Sequence, residues 1–61
     1  MKNEVGSIWE NRTHPGHYIF VTAKKREDNK RYYYTFYYLD EPEVTLLIDT
    51  DKLDDVFKKV S

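Results

Sequence analysis

Apolar and polar positions alternate with a period of two over most of this chain, which predicts strands rather than helices. Residues 5–10 place Val5, Ser7 and Trp9 on one face and Gly6, Ile8 and Glu10 on the other. Residues 18–24 are apolar on both faces as far as Ala23, and the β-branched Ile19, Val21 and Thr22 favour an extended backbone. Residues 31–39 carry the strongest strand signal. The run from Tyr32 to Tyr38 is aromatic apart from Thr35, and aromatic side chains lose χ1 freedom in a helix. In that run Tyr32, Tyr34, Phe36 and Tyr38 share one face, while Tyr33, Thr35 and Tyr37 share the other. Residues 44–48 form a short apolar run of the buried type.

The period changes near the end. Leu53, Val56, Phe57 and Val60 stand at i, i+3, i+4 and i+7, one face of a helix predicted over residues 51–60. Thr50 or Asp51 is placed to cap its start. Asp51, Asp54 and Asp55 fall near the positive end of its dipole, and Lys58 and Lys59 near the negative end. So short a helix is unstable alone and must dock its apolar face on the sheet. Three turn signals separate the elements: Thr13-His14-Pro15-Gly16, the polar run Lys24 to Lys30 that reads as a hairpin tip, and Asp40-Glu41-Pro42-Glu43.

Size then narrows the architecture. Sixty-one residues support one core, so residues 1–61 are expected to form a single small β domain. The economical solutions are a small, partly open barrel or a strongly bent antiparallel sheet of four to five strands with a short C-terminal helix. An open four-stranded sheet with the helix on one face is the alternative. Ten aromatic residues and a net charge of -1 exclude a disordered tail. The absence of cysteine excludes a disulfide framework, a thiolate metal site and a cysteine nucleophile. No apolar run approaches the ~20 residues of a membrane span. With no targeting signal in its first residues, the chain is expected in the cytoplasm.

The order Val5-Gly6-Ser7-Ile8-Trp9-Glu10, a turn with Gly16, then Tyr18-Ile19-Phe20-Val21, resembles the start of small SH3-like β-barrel proteins of bacteria and their phages. The closing stretch Leu53 to Val60 is similar to the short helix with which those proteins end, whereas the polar hairpin tip at 24–30 departs from their glycine-richer pattern. The resemblance implies an SH3-like fold and a small accessory protein, as in a phage-encoded inhibitor of a host factor. It assigns no activity.

Candidate chemistry is sparse. His14 and His17 flank Pro15-Gly16, which splays them, and no third metal ligand lies nearby in sequence. As acid and base they lack a serine, cysteine or carboxylate placed in sequence to complete a triad. Asp49 to Asp54 has the opening of a calcium loop without its Gly at the sixth position or its Glu at the twelfth. No catalytic residue, metal site or cofactor is therefore expected, and the chain reads as non-enzymatic.

What stands out is the tyrosine strand. One of its faces builds the core, and the other is left over as an aromatic platform. Tyr33, Tyr37 and Leu39 are the expected protein-binding residues, because tyrosine offers large contact area and a polar handle at low entropic cost. A strand aromatic on both faces needs cover on both, and the helix supplies one, so a homodimer through these three residues is also expected. Charge offers an alternative. Residues 1–31 carry net +3 and residues 32–61 net -4, and Lys24, Lys25, Arg26, Lys30 and Arg31 flank the hairpin tip. Beside exposed tyrosines these cations would make a single-stranded nucleic-acid-binding module. The near-neutral balance makes that the second reading, after a protein partner.

Overall fold

The computed structural model describes residues 4–27 and 31–61. They form one antiparallel sheet of five strands: β1 (Ile8–Asn11), β2 (Tyr18–Glu27), β3 (Arg31–Tyr38), β4 (Glu41–Asp49) and β5 (Phe57–Lys59). A single-turn helix, α1 (Leu53–Val56), joins β4 to β5. The strand order is β4-β3-β2-β1-β5, so the chain meanders across the sheet and its last strand returns to the far side of β1. The fold is thus mainly β with a short helix towards the C-terminus. The sheet is not closed into a barrel, and β4 and β5 remain its edges.

Register explains the two faces. Across the inner face run Trp9, Ile19 and Tyr38, then Val21, Phe36 and Leu46, then Lys24, Tyr34 and Ile48. The core consists of Trp9, Ile19, Val21, Tyr34 and Phe36 from this face, with Leu53 of α1 and Phe57 laid over it. The ring of Phe36 meets Phe57 edge-on at 5.4 Å and Tyr38 at 6.3 Å, the geometry that aromatic quadrupoles favour. The stripe Tyr32, Tyr34, Phe36 and Tyr38 expected from the sequence therefore does face the core, but Tyr32, near the hairpin end, is 46% exposed.

The segment before β1 closes the mouth of this core with polar groups. The Trp9 indole N–H donates to Ser7 Oγ at 2.7 Å, the Ser7 hydroxyl donates to the Glu4 carbonyl, and the Glu4 N–H donates to Tyr34 Oη at 3.3 Å. The Glu4 carboxylate, nearly buried, meets Lys59 Nζ at 3.0 Å. Gly6 turns the chain here with φ +88°, so strand structure begins at Ile8 and not at Val5.

The end of the chain differs from the predicted helix over 51–60. Helical structure is confined to residues 53–56, and 57–59 are a strand paired antiparallel with β1 through Trp9–Lys59, Glu10–Lys58 and Asn11–Phe57. Neither Thr50 nor Asp51 caps the helix; Lys52 occupies that position without a side-chain bond. Lys58 and Lys59 lie in β5, not in a last helical turn. The physical reason is the open edge of β1, whose unpaired main-chain groups offer the last residues a ladder that a solitary helix cannot match. Val56 and Val60 of the supposed helix face are consequently exposed, while Leu53 and Phe57 are buried.

Arg12 fixes this handover. Its Nε donates to the carbonyls of Asp54 at 2.9 Å and Phe57 at 3.1 Å, and its main-chain N–H donates to Val56 at 3.0 Å. These carbonyls are the orphan acceptors of the helix end. Arg12→Ala is expected to cost about 1 kcal/mol, less than a buried charged bond because Arg12 is exposed. Hydrogen exchange should quicken at residues 53–59 and stay unchanged in β3, which a merely global loss of stability would not produce.

One further boundary differs. β4 starts at Glu41, earlier than residue 44, because Tyr38 and Glu41 close a tight hairpin over Leu39 and Asp40. Pro42 is tolerated there, in an edge strand whose register with β3 is irregular between Glu41 and Leu46. The β2–β3 hairpin forms as expected, but its tip, residues 28–30 with Lys30, lies outside the described residues.

Candidate functional site

The face opposite the helix is the candidate site. Ile8, Phe20 and Tyr37 lie directly across from one another on β1, β2 and β3. In the next row stand Ala23, Thr35 and Leu47, and beyond it Lys25, Tyr33 and Asp49. Phe20 and Tyr37 touch with ring centroids 5.8 Å apart. Thr35 is buried among these neighbours, and its hydroxyl shares a 2.7 Å hydrogen bond with that of Thr22. Ile8, Phe20, Tyr33 and Tyr37 are half-buried, and Leu47 is 63% exposed. Neither α1 nor any other described element covers this face.

Of the three inward tyrosines of β3, Tyr34 and Tyr38 have hydroxyl partners. Inward, Tyr34 Oη accepts from the Glu4 N–H and Tyr38 Oη accepts from Asn11 Nδ2 at 2.9 Å. Outward, the Tyr33 and Tyr37 hydroxyls have no partner among the described residues, so each presents a free donor and acceptor above an apolar ring. The expected site residues Tyr33 and Tyr37 thus share one surface. Leu39 lies past the end of β3, exposed in the hairpin turn, where its N–H donates to the Tyr18 carbonyl at 2.9 Å. Ile8, Phe20 and Leu47 join the face through cross-strand register, which periodicity within one strand does not reveal.

The basic cluster is divided. Lys24 and Arg26 lie on the inner face beyond the core, with the Lys24 ammonium 5.0 Å and the Arg26 guanidinium 5.5 Å from the ring centroid of Tyr32. Lys25 lies on the outer face opposite Tyr33. Arg31 is held by Asp49 at 2.8 Å. Strand alternation makes the division and a bulge at Thr22 decides its sense: two residues, Thr22 and Ala23, face Thr35, and this shifts the parity of every later residue of β2.

A concavity of about 390 Å³ is lined by Asn11, His14, His17, Tyr38, Asp40 and Glu41. It brings a histidine to an acid, His17 Nδ1 to Asp40 Oδ2, at 3.9 Å. That is beyond hydrogen-bond reach, and both side chains are more than half exposed. The His14 and His17 rings stand edge-on at 6.3 Å, and Asn11 Oδ1 accepts from the N–H groups of Thr13 and His14, so this corner is built as a turn. Among the described residues no three histidine or carboxylate side chains gather around a point that a metal ion would occupy.

Comparison of the chain with protein-family models, curated proteins and solved structures finds no match. No helix among the described residues is long and apolar enough to cross a membrane.

Proposed function

We propose that this chain is a non-enzymatic binding module that docks its outer aromatic face on a protein partner and modulates that partner by occupying its surface. The observation that carries the reading is the uncovered row Ile8–Phe20–Tyr37 with Tyr33 two rows along the same face; the Tyr33 and Tyr37 hydroxyls have no partner among the described residues. A standard interface takes about 800 Å² from each side. The chain exposes 4486 Å² in all, so such an interface would occupy roughly a sixth of it, a share one sheet face can supply. The proposal extends to an accessory role of the phage or bacterial kind, which rests on the resemblance of residues 5–21, with Gly6 and Gly16 at turns of positive φ, and not on the closing stretch, where a strand follows the single helical turn.

A second copy is one occupant of this face, in a two-fold arrangement where each patch meets itself. Sedimentation separates the cases. A dimer that Tyr37→Glu dissociates assigns the face to self-association, and a monomer of 7.4 kDa at high concentration assigns it to a different protein.

The nucleic-acid reading has Lys24, Arg26 and Tyr32 in its favour, a ring already flanked by two cations. It remains the alternative because its cations are split between two faces and Arg31 is neutralised by Asp49.

The test is a photoreactive amino acid placed singly at Tyr33, Tyr37, Tyr32 and Asp51 in cells of the source. Positions 33 and 37 are expected to cross-link the same protein, with 32 and 51 silent. Cross-links to nucleic acid from position 32 alone would replace this reading with the alternative.

A further inference from the structure

The edge strand β4 offers a surface of another kind. It has a neighbour on one side only, so along its free side alternate main-chain N–H and C=O groups point away from the sheet. Such edges are normally blunted by charge, proline or a bulge. Here Pro42 and the irregular register blunt only the first half. From Leu46 to Asp49 the strand pairs regularly with β3 and is open outside. The run from Val44 to Ile48 carries no charge, and Val44, Leu46 and Leu47 are exposed.

Charge then selects what this edge accepts. Residues 40–51 carry Asp40, Glu41, Glu43, Asp49 and Asp51 and no lysine or arginine. Asp49 is held by Arg31 and Asp40 stands near His17, whereas Glu41, Glu43 and Asp51 have no ionic partner among the described residues. A second copy added antiparallel about Leu46 would set Glu43 of one chain directly opposite Asp49 of the other. Arg31 offsets Asp49 in that pairing, but residues 40–51 of the second copy bring no lysine or arginine to the Glu41, Glu43 and Asp51 of the first, so β4 gains no counter-charge from its own copy.

We propose that β4 is a strand-addition site for an extended basic segment of a partner protein. The added strand bonds to the main chain of Leu46–Asp49, places its apolar side chains beside Leu46 on one face or Leu47 on the other, and brings lysine or arginine to Glu43 and the carboxylates flanking the strand. The site is a main-chain edge that shares Leu47 with the aromatic face, and a response at the amides of residues 45–49 without one at Ile8, Phe20 and Tyr37 distinguishes the two.

The experiment uses the full ¹⁵N-labelled chain and a seven-residue capped probe, Lys-Val-Thr-Ile-Thr-Val-Lys. At about 1 mM probe, a concentration suited to weak binding, amide shifts and slowed exchange are expected at residues 45–49. A probe ending in glutamate at both termini should bind about tenfold more weakly, since opposite charges become like ones. Methylating alternate main-chain nitrogens should abolish binding in one frame and leave it in the other, because only one edge of the probe donates. Equal response to the acidic probe, indifference to both methylation frames, or shifts confined to Ile8, Phe20 and Tyr37 would overturn the proposal, as would no response at all.

Discussion

Replacing Phe36 with alanine is expected to unfold most of the protein. Phe36 sits at the middle of the inner face, between Val21 and Leu46 in register and against the rings of Phe57 and Tyr38. A buried Phe→Ala change costs about 3–5 kcal/mol through lost transfer energy and the cavity left behind. At ~0.05–0.15 kcal/mol per residue, a chain of this length has only about 3–9 kcal/mol in all. Urea titration should therefore show a midpoint lowered by about 3 M for a small-protein slope near 1 kcal/mol/M, or no folded baseline. Phe36→Leu keeps most of the volume and should lose about 1 kcal/mol. Val60→Ala, at a position the helical period would bury but the structure exposes, should stay within about 0.5 kcal/mol of the parent.

Tyr37→Glu is expected to do the reverse, leaving the fold and removing the partner. The Tyr37 ring touches Phe20 on the outer face, not the core, and its hydroxyl has no partner among the described residues to lose. Stability should fall by about 1 kcal/mol, the value of one aromatic contact. Docking would instead bury a carboxylate without a counter-charge, and a central aromatic of an interface is commonly worth 2 kcal/mol or more. The partner's affinity should drop at least about thirtyfold, equivalent to that energy at 1.4 kcal/mol per decade. Tyr37→Phe removes only the hydroxyl and should retain most of the binding. Titration calorimetry against the cross-linked partner, beside a thermal melt of each variant, reads both quantities.

These two residues are adjacent in the same strand, and their placement on opposite faces is legible from the period alone. Alternation assigned Tyr34 and Phe36 to one face and Tyr33 and Tyr37 to the other, and the register of β3 keeps that division. Lys24 shows where alternation fails. Counting by twos from Phe20 puts it on the outer face, but the bulge at Thr22 moves it inward, over Tyr32 and Tyr34. A bulge depends on the partner strand, which the local sequence does not contain. Phe57–Lys59 failed for the same kind of reason. Its helical spacing is real, yet the open edge of β1, more than forty residues earlier, decides its conformation. The Arg12 clamp and the link from Trp9 through Ser7 to Glu4 are side chains acting on main-chain groups, and no spacing rule announces them. Of the candidate site, Tyr33 and Tyr37 were readable, while Ile8, Phe20 and Leu47 became part of it only through pairing.

The most direct test of the outer face as the working surface is hydroxyl-radical footprinting of the free chain and of its complex with the cross-linked partner. Oxidation of Phe20, Tyr33, Tyr37 and Leu47 should fall together on binding, while Tyr32 and His14 keep their free rates. Protection confined to Tyr32, or to His14 and His17, with the outer aromatics still oxidised at the free rate, would contradict the account.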